Sequence, residues 1–372
     1  MSDKNYKNQL LWSYVTHILD YQFTKLLFVI DIFGLIFILF PSVQLTPMLL
    51  LIINVSILII IALKIFIGKE YDYISKPLHT FYEHTYHINA IAVDSERKYL
   101  ASCSGDESTI IWDLQTNNVL HRLPSEGWVG NIRFAKKSDI LVILNGKHGT
   151  LSLFDTKSDK LTKIDCEPLG QSRGLAINNN MIYVSSKTGL VSRIDISDSS
   201  PVIEKTQVST KEIRKMAISN YGYFACGDSN GELFMCDNPR LENIKSFYKI
   251  PESEIIRDVV FNPDGSCVGF TDSGGHLSIL DIETKSIITK KAHNGHAICL
   301  SFSPNGNIVA TGGQDEVIRL WRINEGKIEG LFEIKGHSDD ITDLEFDSDS
   351  ILWSASRDAK IKNWDLRGID RK

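Results

Sequence analysis

From about residue 77 onward, apolar and polar positions alternate in short runs broken at regular intervals. In 296–323, "HAICLSFSP" alternates, "SPNG" at 303–306 turns, "IVATGG" alternates, "QDE" turns and "VIRLWRI" alternates again. Period-two runs split by Pro, Gly, Asn and Asp predict short antiparallel strands, four to a unit. The N-terminal quarter reads differently. "LLFVIDIFGLIFILF" at 26–40 and "MLLLIINVSILIIIALKIFI" at 48–67 are almost wholly apolar.

The strand-rich part repeats. Trp364 aligns with Trp112, Phe154, Ile194, Cys236, Leu280 and Trp321, at intervals of about 40–44 residues, the period of propeller blades. A second apolar register keeps step: Val93, Phe134, Ile177, Ile218, Phe261, Phe302 and Phe346. Three units also share polar residues at matched offsets. These are His84, Ser102, Asp106 and Trp112; His293, Thr311, Asp315 and Trp321; and His337, Ser354, Asp358 and Trp364. A lone four-stranded sheet of this size cannot bury both faces, and stacking such sheets radially solves that problem.

With those residues in view, the chain resembles a seven-bladed WD40-repeat propeller, all-β, over residues 77–367. The resemblance implies that each His, Ser/Thr, Asp and Trp set is a hydrogen-bonded structural tetrad inside a blade. A buried carboxylate needs partners, and imidazole, hydroxyl and indole can all donate to it. A Ser/His/Asp catalytic triad is the competing chemistry. The threefold recurrence and the lack of an oxyanion hole argue against it. The second to fifth units depart from the pattern, with His148, Thr188, Asn230 and Gly274 at the Asp position, so they are expected to rest on apolar packing. The chain ends too soon after Leu366 to supply the last blade's outer strand. Residues 78–82 are therefore expected to close the ring against 337–366, since an open ring leaves an unpaired edge.

The apolar runs predict a two-helix membrane hairpin over 26–67, reversing at "PSVQLTP" (41–47). The second run has about the 20 residues needed to span a bilayer, and the first is shorter. Residues 1–25 form an N-terminal amphipathic segment, 68–76 a linker and 368–372 a tail. Lys4, Lys7 and Lys25 flank one side of the hairpin and Lys64, Lys69 and Lys76 the other, while the reversal carries no charge. The positive-inside rule then places both ends and the propeller in the cytosol, on the endoplasmic reticulum or another endomembrane. Asp31 is an intramembrane carboxylate, which points to function or a buried partner, the competing reading being that it is protonated near the interface or hydrogen-bonded to the other helix.

The 372 residues carry a net charge of −6, which argues against a general nucleic-acid binder. Six cysteines without CxxC spacing read as reduced core thiols, and no cofactor or metal site is expected. There is no P-loop, dinucleotide turn or HExxH motif, so the reading is not an enzyme.

One pattern is left over from packing. Four residues before the second register, three consecutive units carry Arg173, Arg214 and Arg257. The resemblance places them at the mouth of the central channel on the narrow face. Trp128, His87 and His296 stand two residues earlier in other units. Arg and Trp anchor interfaces, and guanidinium forks grip carboxylates, so an acidic peptide or helix of a partner protein is the expected ligand. The competing reading pairs these arginines with Glu212, Asp258 or Asp340. The function expected is a membrane-anchored scaffold or adaptor that docks partners. One alternative is a nucleotide-exchange regulator of a small GTPase at the endoplasmic reticulum. Another is an accessory subunit held in a membrane complex through the hairpin.

Overall fold

Seven antiparallel sheets stand around a central channel in the computed structural model, which describes residues 73–74, 76–135, 139–164, 171–197, 201–251, 254–324, 326–367 and 369. The segment 1–25, the hairpin 26–67 with Asp31, and the tail apart from Ile369 lie outside the described residues. Among the described residues there is no α-helix, and no helix is long and apolar enough to cross a membrane.

The first blade shows how a repeat becomes a sheet. Ile88–Val93 is its innermost strand, followed outward by Tyr99–Ser104, Ser108–Asp113 and Asn118–Pro124. Burial fades outward: the inner strands are almost wholly buried, whereas the outer strand is largely exposed. Tight turns join the strands. In one of them Glu107 takes a left-handed φ of 63°, and Glu316 and Ala359 repeat this at φ 64° and 62° in the sixth and seventh blades.

The two sequence registers flank the same residue of each blade's second strand, one from the innermost strand and one from the third, as Val93 and Trp112 flank Leu100. Trp112, Phe154, Ile194, Cys236, Leu280, Trp321 and Trp364 each pair across to an apolar residue of the second strand: Leu100, Leu141, Ile182, Phe224, Val268, Val309 and Leu352. All seven register residues are buried. Because alternate side chains leave a strand on opposite faces, each blade feeds two cores. Ala101 and Cys103 pack toward the second blade, whereas Leu100 packs toward the seventh. Seven apolar clusters result among the described residues, one between each pair of neighbouring blades. Cys103 and Cys226 belong to these clusters, and burial pushes their thiols well up and out of the reactive range.

The last blade is completed from the other end of the chain. His79–Phe81 pairs antiparallel with Ile361–Asp365, with Phe81 opposite Ile361. Phe81 is 3% exposed and meets the Trp112 ring edge-on at 4.5 Å and the Trp353 ring at 5.7 Å, so it belongs to the core between the seventh and first blades. Within the segment read as a linker, Tyr73–Ile74 pairs parallel with Glu333–Ile334 on the outer strand of the sixth blade, giving that sheet a fifth strand.

Candidate docking site at the channel mouth

The three polar sets assemble inside their blades. His84 Nδ1 lies 2.9 Å from Asp106 Oδ2 and its Nε2 lies 2.8 Å from Ser102 Oγ, to which Trp112 Nε1 donates at 3.0 Å. His293 spans Asp315 and Thr311 at 2.8 Å each, and Trp321 donates to Thr311 at 2.8 Å. His337 bridges Asp358 at 2.9 Å and Ser354 at 2.8 Å, with Trp364 donating to Ser354 at 2.9 Å. A neutral imidazole with its proton on Nδ1 satisfies every bond: indole N–H to hydroxyl oxygen, hydroxyl to Nε2, Nδ1–H to carboxylate. Burial depresses all three histidines, against the pull of their carboxylates, which agrees with the neutral form. Each of these buried hydroxyls is occupied by the indole and the imidazole.

The blades without a tetrad are not held by apolar packing alone. Two residues before the vacant Asp position, Asp228 accepts from Ser209 Oγ at 2.6 Å and from the amides of Asn230 and Glu232 at 2.9 Å. Asp272 accepts from the amide of His276 at 2.9 Å and faces its ring nitrogen at 3.1 Å. Ser186 serves the third blade by accepting from the Leu190 amide at 3.1 Å. A short polar side chain that closes the turn on itself replaces one that reaches back to a histidine. The recurrence of Ser or Asp at that offset was the available signal.

At the channel mouth, the second residue of each innermost strand, or in the third blade the residue two before the strand begins at Leu175, lines the channel. These seven residues, Asn89, Gly130, Arg173, Arg214, Arg257, Ile298 and Thr342, all line one cavity of about 640 Å3. The three arginines of the sequence pattern therefore meet in one place. His87 lines the cavity too, but Trp128 and His296 do not. Trp128 acts one step back: Arg173 Cζ stacks 4.8 Å from the centre of its ring. Its ring lies over Gly146, where an added Cβ would stand 1.8 Å from it, so only glycine leaves room for the stack. His296 Nδ1 donates to the Ser273 carbonyl at 2.6 Å and braces the loops of the fifth and sixth blades.

Sequence reasoning missed two cations of the site. Arg357 enters from the loop just before Asp358, a position where the other units carry no arginine. Lys215 occupies the position at which Asp258 and Asp343 staple neighbouring blades. Asp258 accepts from the Val259 amide at 2.9 Å and the Leu300 amide at 3.0 Å. Asp343 likewise accepts from Leu344 at 3.1 Å and Ile91 at 3.0 Å. Lys215 cannot accept, and it extends into the channel instead.

The local acids claim only part of this charge. Glu212 pairs with Arg214 at 3.1 Å and Asp340 with Arg357 at 2.9 Å. Asp258 serves backbone amides rather than an arginine. Arg173 and Arg257 have no ion pair among the described residues. Burial, then the neighbouring arginines, hold both guanidinium groups below their ordinary range. Below the mouth, a second cavity of about 370 Å3 is lined by Arg133, Asp258, Asp343 and Glu345, with Lys215 at the boundary of the two. There burial pushes the Glu345 carboxyl up to about 7, against the pull of Arg133. Among the described residues no His, Cys, Asp or Glu cluster could hold a metal ion.

Residues 75–113, 284–322 and 329–365 match the family model for the WD domain, G-beta repeat. These are the stretches that hold the three tetrads. An uncharacterized WD repeat-containing protein of Schizosaccharomyces pombe is 22% identical over 78% of this chain and 48% of its own length, so the chain spans about half of that relative. A serine-threonine kinase receptor-associated protein of Gallus gallus is 24% identical over 68% of the chain and 72% of its own length. Subunit I of eukaryotic translation initiation factor 3 of Saccharomyces cerevisiae is 22% identical over 71% of the chain and 86% of its own length.

Proposed function

Because the chain is a WD40-repeat β-propeller, we propose that it is a non-enzymatic scaffold, anchored in a membrane through residues 26–67, whose channel mouth docks an acidic segment of a partner protein. One observation carries this reading: Arg173, Arg214, Arg257 and Arg357 converge on a single open cavity, and the local acids neutralise only two of them. Guanidinium forks left without carboxylates suit a ligand that brings its own. The tetrads, the other constellation with catalytic residue types, are consumed by structure.

The test compares the full-length chain with an Arg173→Glu, Arg214→Glu, Arg257→Glu variant, both captured in mild detergent after a thermal melt has shown that the variant folds. A discrete set of acidic partners should be lost with the variant. An unchanged set of bound proteins sinks the docking reading and moves the search to Asp31, where Asp31→Leu would disrupt an assembly held through the hairpin.

The apolar runs at 26–40 and 48–67, flanked by lysines, support the anchor and a cytosolic propeller on an endomembrane. Alkaline carbonate should leave the full-length chain in the membrane pellet and release a chain that begins at Lys69. Release of the full-length chain would rule the anchor out.

A further inference from the structure

We propose that the seam between the first and second blades is a second docking site, where a partner protein seats an apolar side chain, flanked by acidic residues, in the space that a tetrad histidine fills elsewhere in the ring. The site is built on the second, third and outer strands of the blade and not on the innermost one, so it stands apart from the channel mouth and either reading can fail alone.

The space follows from the register of the repeat. Each tetrad histidine stands four residues before its innermost strand: His84 before Ile88, His293 before Ala297 and His337 before Ile341. The hydroxyl it meets stands two residues before the second-strand residue that pairs with the first residue of that innermost strand. These are Ser102 before Ser104, Thr311 before Gly313 and Ser354 before Ser356. In the second blade Val129 opens the innermost strand and pairs with Asn145, so Ser125 takes the histidine's place and Ile143 the hydroxyl's. Ser125 Oγ accepts from Asn145 Nδ2 at 2.9 Å instead. A hydroxymethyl group where the other blades hold an imidazole leaves a cavity of about 680 Å3, lined by Ser125, Ile143, Ser152, Leu161, Lys163 and Ile164. The fourth blade makes the same exchange, with Ser209 and Cys226. There Asp228 takes up the Ser209 hydroxyl at 2.6 Å, and the cavity beside them is about 270 Å3.

The lining selects the guest. Ile143 and Ile164, each 7% exposed, form a floor that offers no partner to a charged group or an ordered water. Leu161, 41% exposed, carries the apolar lining out to the surface. A large apolar side chain is therefore what the space accepts, as a pocket accepts an interface anchor. The rim is basic. Lys160 and Lys163 stand on the outer strand Lys160–Lys163, and His148 enters from the turn between the second and third strands. The facing acid is Glu126, 3.2 Å from Lys163, and both side chains are so exposed that the pair holds weakly in water. A carboxylate next to the guest's apolar residue can take the place of Glu126 on Lys163.

The experiment uses the full-length chain in mild detergent and three fluorescent peptide libraries with the same randomised flanks and a fixed centre of Asp-Leu-Asp, Asp-Ala-Asp or Lys-Leu-Lys. The Asp-Leu-Asp library should bind at least about tenfold more tightly than either of the others. Ser125→His, which returns an imidazole to the empty space, should remove that preference. Lys163→Glu, on the exposed outer strand, should shift it toward Lys-Leu-Lys. Thermal melts check that both variants fold. The Arg173→Glu, Arg214→Glu, Arg257→Glu variant should keep the preference of the wild type. Equal binding of the Asp-Leu-Asp and Asp-Ala-Asp libraries overturns the apolar berth. A preference that survives both Ser125→His and Lys163→Glu, or that disappears with the triple arginine variant, places the peptide elsewhere and overturns the proposal. Binding by none of the three libraries overturns it as well.

Discussion

His84, His293 and His337 each hold together four groups that water would otherwise claim, and they do so in the neutral form. Burial is the largest influence on each and depresses its affinity for a proton, while the partner carboxylate pulls the other way and loses. The unfolded chain therefore binds protons more readily than the folded one below the ordinary histidine value of 6.5. The three histidines contribute stability that is complete above that value and is lost as pH falls toward their folded values. The carboxylates act further down. Burial raises the Asp358 carboxyl, but bonds from His337 and nearby amides outweigh it, so its contribution is lost only below the ordinary 3.8. The melting temperature should fall between pH 7 and pH 5, with each histidine contributing up to about 1.4 kcal/mol per pH unit below its unfolded value. A flat profile over that window would show that the tetrad imidazoles are already charged. Replacing Trp364 by Phe, which removes one indole donor and leaves Ser354 with less to accept, should cost about 1–3 kcal/mol by chemical denaturation.

At the scale of the element, the informative strand is one of the shortest. His79–Phe81 contributes three residues and closes the ring. Hydrogen bonds alone would make it a weak latch; Phe81, wedged against Trp112 and Trp353, makes it part of a core. Phe81→Ala should therefore cost about 3–5 kcal/mol, the range for emptying an aromatic core site. It should also loosen the seventh blade from the first, seen as early hydrogen exchange in Ile361–Asp365 relative to the strands of the third blade. Uniform exchange across all seven blades would show that closure does not depend on this side chain. The blades without tetrads show that the repeat tolerates a change of device. Asp228 and Asp272 tie the same turn by capping amides, because what the fold needs there is a satisfied reversal and not a particular histidine.

At the scale of the molecule, the channel is electrostatically layered. Four arginines stand at the mouth, Lys215, Asp258 and Asp343 share the next strand position, and Glu345 stands deeper. The layering arises because successive positions of an innermost strand face different neighbours. One register points to the axis near the mouth, the next staples adjacent blades through backbone amides, and a deeper one faces the axis again. Adding the charges of the chain gives −6 and hides this arrangement entirely.

The sequence by itself determined the period, the two apolar registers, the three tetrads and the strand that closes the ring. Each is a local or repeated pattern, and burial of alternate side chains writes such patterns directly into residue order. The arginine register was also legible, as Arg173, Arg214 and Arg257 recur at the blade period. Only the tertiary structure decided what those arginines face. Glu212 and Asp340 turned out to hold Arg214 and Arg357, whereas Asp258 was taken by amides of its own and the next blade. Trp128 became a support for Arg173, and His296 left the site for the Ser273 carbonyl. Lys215 joined the cavity from a repeat position at which a cation does not recur, and Arg357 from one at which no other unit carries arginine. Radial closure brings together residues 40 or more apart in sequence, and which charges neutralise one another across that ring depends on distances of a few ångströms that one-dimensional order does not contain.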